Sequence, residues 1–225
     1  MPNKAKFYLA CTIAAGLIVL EMAIYQWNPP SLPRFFVFLL LGLLASTLKV
    51  RLPRVTSTMS ASFLFVLISI ADYTFSETVL LGAAAALVQT VWKTRQRPKL
   101  LQIAFNVASW AISVGISYRV SHFVLETVRA NSLPVLLALA ASLFFVTHMG
   151  LLAIILSLTA ERPLKDTWQQ CYSWSFPYYF AGAAIAGLVS VSSRSVGWQV
   201  ALLELPMMYL VYLHYRFYVD RAARE

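Results

Sequence analysis

The chain has 225 residues, 60% of them hydrophobic and only 12% charged, and carries a net charge of +9. A soluble globule carries about 25% charged residues and less than half apolar ones, so this composition excludes a water-soluble fold and puts most of the surface against lipid or neighbouring membrane helices. With only two cysteines, Cys11 and Cys171, in apolar surroundings, a disulfide framework is excluded too.

The first apolar run, 7–26, follows the basic start PNKAK. It is longer than a secretory h-region of about 7–15 residues and reads as an uncleaved first transmembrane helix. The second run, 35–48, and the fourth, 77–92, are short against the ~20 residues of a full span. They are re-entrant, less tilted, or lengthened by snorkelling Lys and Arg. The third, 57–73, carries Thr58, Ser62, Ser69 and Asp72 on one helical face. The fifth, 100–120, spaces Gln102, Asn106, Ser109, Ser113 and Ser117 by three or four residues. That makes one polar stripe, expected to face into the bundle and hydrogen-bond between helices. The sixth, 133–159, holds His148. The seventh, 167–191, contains AGAAIAG, in which Gly182 and Ala186, and Ala183 and Gly187, have the small-xxx-small spacing of close helix contacts; Gly82 and Ala86 repeat it in the fourth. These faces suit packing within the chain, with homodimerisation left open. The eighth run, 197–215, continues without Gly or Pro from its apolar end into LVYLHYRFYVDRAARE. That pattern predicts a helix projecting into the cytoplasm, or a frayed basic terminus.

The expected fold is therefore all-α, a single polytopic transmembrane bundle (1–225) of about eight helices. Long runs without alternation exclude β-barrel strands. Placing both termini in the cytoplasm leaves only Arg34, Arg119, Arg129 and Arg194 of the 18 basic residues outside, as the positive-inside rule requires. KTRQRPK, residues 93–99, then reads as a cytoplasmic loop able to touch anionic lipid headgroups. It belongs to no nucleic-acid-binding module.

No phosphate loop, GxSxG elbow, HExxH or CxxC is present, so no enzyme chemistry is predicted. His122, His148 and His214 fall near the outer face, inside the bilayer and near the inner face, an arrangement unsuited to bis-histidine haem or a metal site. No cofactor is expected. Pro177 and Pro206 fall near the midplane of the seventh and eighth runs. There they would bend their helices beside Trp174, Tyr178, Tyr179, Glu204 and Met207. A carboxylate in lipid needs a partner or a proton, and His148 is the candidate partner of Glu204. Asn106, Trp110, His148, Trp174, Tyr178 and Glu204 are the candidate residues of a small-molecule or proton-sensing pocket; two ordinary kinks with satisfied tyrosines are the alternative. Glu21, Asp72, Glu77 and Glu126 lie toward the outer face, with Arg34, Arg119 and Arg194 as candidate partners and an extracytoplasmic cation site as a further option.

The stretches LLGLLASTLKVRLPRVTSTMSASFLFVLISIA (40–71) and AAALVQTVWKTRQRPKLLQIAFNVASWAI (84–112) resemble the MASE-type N-terminal membrane sensor regions of bacterial signalling proteins. In those proteins the region precedes a GGDEF diguanylate cyclase or an HD-type phosphodiesterase domain. The resemblance spans roughly residues 35–218, and LPMMYLVYLHYRFYV resembles the junction to the output domain. No GGDEF or HD metal-ligand pattern is present in the chain. The resemblance thus implies an inner-membrane, multi-pass sensory module of cyclic-di-GMP signalling. Its partners would be lipid, a small-molecule ligand and a cytoplasmic output domain or protein. A small-solute transporter or substrate-capture subunit is the alternative, because broken helices and polar stripes serve that role as well.

Overall fold

A computed structural model of the chain describes residues 1–51, 58–92, 94, 97–129, 132–161 and 163–196, together with positions 209, 213 and 217. Among them are seven helices and one two-stranded antiparallel ribbon. The helices are α1 (Asn3–Tyr25), α2 (Leu32–Thr47), α3 (Ser62–Asp72), α4 (Phe75–Val91), α5 (Leu100–Val128), α6 (Leu133–Ala160) and α7 (Leu164–Val196). The ribbon pairs β1 (Lys49–Arg51) with β2 (Thr58–Ser60), Val50 opposite Met59.

Local sequence explains three of the helix starts. Pro33 in α2 and Pro134 in α6 sit in the first turn, where the missing N–H costs nothing. Thr74 and Glu77 form a reciprocal capping box at the start of α4. The α5 and α6 helices instead end on Arg129 and Glu161 in the left-handed region, at φ 51° and 53°. For a residue other than glycine this costs about 1–2 kcal/mol.

Helix α3 is the axis of the packing. Every residue from Ser62 to Ile70 is buried, and the helix touches α2, α4, α6 and α7. Phe63, Phe65, Leu67, Trp110, Phe144 and Tyr179 belong to the main apolar core around it. The outer helices keep large apolar side chains on their free faces: Phe7 is 73% exposed, Leu40 61% and Phe123 68%. Among the described residues, three helices, α1, α5 and α6, are long and apolar enough to cross a membrane. Such a rind of exposed Leu, Ile and Phe around a packed core suits lipid as its solvent.

The helical class matches expectation apart from the ribbon, and several boundaries move. The third segment, predicted over 57–73, is a helix only from Ser62 to Asp72, because Thr58–Ser60 pair with Lys49–Arg51 as a strand. Thr58 therefore lies on β2 and shares no helix face with Asp72. Since α3 is buried on all sides, its polar residues do not form a single inward stripe. The fifth segment runs on to Val128, well past 120, and the seventh extends over Leu164–Val196. The α7 helix continues through Pro177. The eighth segment, with Pro206, lies outside the described residues except at 209 and 213.

The close contacts follow the small residues. Gly182 of α7 faces α3, where a Cβ would stand 3.2 Å from the Phe63 ring. Gly82 of α4 would bring a Cβ to 2.8 Å from Val114 of α5. The tightest approach is α1 on α5: a Cβ at Gly16 would lie 2.5 Å from the Ala108 Cα. No side chain larger than hydrogen fits there.

Candidate functional site

Two of the residues expected in the mid-bundle pocket, Trp110 and His148, lie side by side. Trp110 of α5 and His148 of α6 meet edge-on with ring centroids 5.6 Å apart, and Phe144 stacks on His148 at 5.3 Å. Phe144 also contacts Trp110 edge-on at 5.3 Å and joins Tyr179 of α7 at 5.9 Å. The His148 Nδ1 is buried and has no hydrogen-bond partner among the described residues. Asn106 is not part of this box. Its amide donates to Thr90 Oγ1 at 3.1 Å, and Thr90 in turn donates to the Ala86 carbonyl; the pair ties α5 to α4. The side chains of Trp174 and Tyr178, and all of Glu204, lie outside the described residues. So does any His148–Glu204 pairing.

The serine stripe behaves differently from expectation. Ser109, Ser113 and Ser117 are buried, but their hydroxyls stay on their own helix. Ser113 donates to the Ser109 carbonyl and Ser117 to the Ser113 carbonyl, each at 2.7 Å, and Ser109 donates to Asn106. A hydroxyl bonded to the carbonyl one turn back is already satisfied, so neighbouring helices can pack against it as they would against alanine. Gln102 of the same stripe is exposed.

Polar side chains converge instead at the bundle end that holds the α3–α4 turn. Thr74 donates from both its backbone N–H and its hydroxyl to Glu77 Oε2, at 2.9 and 2.8 Å, and the Glu77 N–H returns to Thr74 Oγ1. Glu77 is 2% exposed, and this box satisfies it without an arginine. Next to it, the Arg34 guanidinium lies 4.8 Å above the Tyr73 ring, and Phe38 stacks on Tyr73 at 4.7 Å. Burial pushes the Tyr73 phenol above its ordinary value of 10.0; Arg34 opposes the rise, and Glu77 and Asp72 add to it. Arg119 sits 4.3 Å over the Phe75 ring and donates to Gln26.

Of the candidate partners, Arg194 is the one that reaches Asp72. Its Nε and Nη2 donate to Asp72 Oδ1 at 2.9 and 2.8 Å, and Nη2 also donates to the Ala71 carbonyl at 3.1 Å. Asp72 is nearly buried and Arg194 about half exposed. This clasp joins the end of α7 to the end of α3.

Beside the clasp opens a cavity of about 430 Å³, where the ends of α3, α5, α6 and α7 meet. His122, Glu126, Arg129 and Arg194 supply its charged and polar walls, and Leu133 and Leu136 part of its apolar floor. Its volume falls within the ~300–1,000 Å³ of small-molecule sites. Tyr118 stacks on His122 at 4.2 Å, and the His122 Nδ1 lies 2.8 Å from the Tyr118 carbonyl. That carbonyl can only accept, so Nδ1 carries a hydrogen. Glu126 and Arg129 form no ion pair among the described residues. Nor do the described residues hold any group of three or more His, Cys, Asp or Glu that could bind a metal ion.

The sequence carried a signal for this pocket. Tyr118, His122 and Glu126 recur every four residues, with Arg129 three further on, which marks one helical face. Ending the fifth segment at 120 put three of the four in a loop. In comparisons with known proteins, no family, no curated relative and no solved structure matches the chain.

Proposed function

We propose that the protein is the membrane-embedded sensory module of a bacterial signalling system, with about eight spans and both termini in the cytoplasm of an inner-membrane location. A stimulus at the outer end of the bundle would alter the packing of α7, and the C-terminal helical run would carry the change to a cytoplasmic output domain or partner of cyclic-di-GMP signalling. The observation that supports this reading is the clasp of Arg194 on Asp72 and the Ala71 carbonyl, at the edge of the cavity. It links the terminal turn of the longest described helix to the buried central one. A ligand bound in the cavity beside this clasp would favour one packing of α7 over another, and that differential affinity is what a population shift requires.

The test is to make Asp72→Asn, Arg194→Gln and the charge swap Asp72→Arg/Arg194→Asp in the full-length protein and measure cellular cyclic di-GMP at matched membrane levels. Each single change is expected to shift the basal level severalfold and the swap to restore most of it. Signalling unchanged across all three variants would overturn the reading. Solute accumulation in proteoliposomes that depends on the protein would replace it with the transporter alternative.

A further inference from the structure

We infer that the cavity between the ends of α3, α5, α6 and α7 binds a small zwitterion with an apolar body, the chemistry of an aliphatic α-amino acid. The inference names the stimulus for the sensory reading above, and it rests on that reading for its consequence but not for binding itself.

Charge decides the class. Arg194 is already neutralised by Asp72, which leaves Glu126 and Arg129, both exposed, as a carboxylate and a guanidinium on the cavity wall with no ion pair among the described residues. A monoanion or a monocation would engage only one of the two. A molecule carrying both charges satisfies the two together. Leu125, Leu133, Leu136 and Ala71 complete the wall with hydrocarbon, which suits an aliphatic side chain and disfavours a phosphate or a sugar.

The helix ends orient what enters. Glu126 lies in the last turn of α5, where the carbonyl ends attract a cation; Ser132 starts α6, whose first N–H groups receive no side-chain cap. The ammonium group would therefore face Glu126, and the carboxylate would face Arg129 and the start of α6. The backbone at Arg129 points the same way. It holds φ 51° and ψ 31°, a conformation that glycine or asparagine adopts more cheaply. An arginine here gives up backbone comfort and places a cation on the cavity.

The test uses the full chain in lipid nanodiscs, with leucine, hexanoate, hexylamine and inorganic phosphate as probes and thermal unfolding and calorimetry as readouts. Leucine is expected to bind saturably, and hexanoate and hexylamine about tenfold or more weakly, since each lacks one charge-assisted hydrogen bond. Arg129→Asn fits the left-handed backbone, so it is expected to fold at least as well as the parent and to lose leucine by a similar factor. Glu126→Gln is expected to lose it too, and Arg129→Lys, which keeps the charge but not the bidentate fork, to lose less than Arg129→Asn. Leucine binding no better than hexanoate, phosphate binding in its place, no saturable binding of leucine, or undiminished leucine binding by Arg129→Asn would each overturn the assignment. Leucine that binds without changing cyclic di-GMP would leave the site standing and sink the sensory reading. An Asp72→Asn effect on signalling without leucine binding would do the reverse.

Discussion

A buried ring nitrogen with nothing to bond is expensive, and among the described residues His148 holds one against Trp110 and Phe144. An unmade hydrogen bond on a buried polar atom costs about 1–3 kcal/mol. His148→Phe, which keeps the stacked ring and removes the nitrogen, is therefore expected to raise the unfolding midpoint of the purified protein. A drop would mean that the imidazole has a role its described neighbours do not reveal. Tyr73 supplies a pH dependence. Its folded-state value is raised, so its contribution is complete below pH 10 and is lost as pH climbs through the higher folded-state value. Alkaline unfolding of Tyr73→Phe should therefore begin at a higher pH than that of the parent, a difference that circular dichroism would register; coincident curves would dismiss the effect. Individual residues were legible in the sequence to different degrees. Glu77 needed no arginine because T-x-x-E at 74–77 already spells a capping box. The Asp72–Arg194 pair had to be chosen from several acids and several arginines on one face, and only the packing of α7 beside α3 selects it. Nothing in Trp110 and His148 as single letters places them 5.6 Å apart.

At the scale of elements, the apolar runs located all seven described helices but misjudged their ends. Hydropathy reports where lipid-like residues lie, and α5 continues as a helix into polar sequence through Tyr118, His122 and Glu126. The opposite error shortened α3, because an apolar run cannot distinguish a helix from a strand over Thr58–Ser60. The small-residue motifs in α4 and α7 mark real contacts, yet the closest approach is at Gly16, within a run that offered only an isolated glycine among alanines. Gly16→Leu is expected to displace α1 from α5, because its Cβ alone overlaps Ala108. Protection of α1 from proteolysis in detergent should fall sharply. Gly150→Ala, whose Cβ would meet only the edge of Trp168 at 3.9 Å, should leave it unchanged. Equal protection in both variants would mean that α1 docks by some other face.

At the scale of the whole molecule, the described helices surround α3, which has no free face at all. At 1.5 Å per residue its 11 residues cover about 16 Å, roughly half of a 30 Å hydrocarbon layer. Such a segment is too short to leave a translocation channel by itself. Only Tyr73 and Thr74 separate it from α4, and the Thr74–Glu77 box closes that joint without help from any other helix. The two helices should thus be released into lipid together, as one preformed hairpin. Chains ending after Tyr73 are expected to leave Ser62–Asp72 extractable by alkaline carbonate in a cell-free insertion assay on the segment beginning at 58, and chains ending after Trp92 to resist extraction. During biosynthesis the innermost helix of the finished protein would then wait for its neighbour before it could enter the membrane.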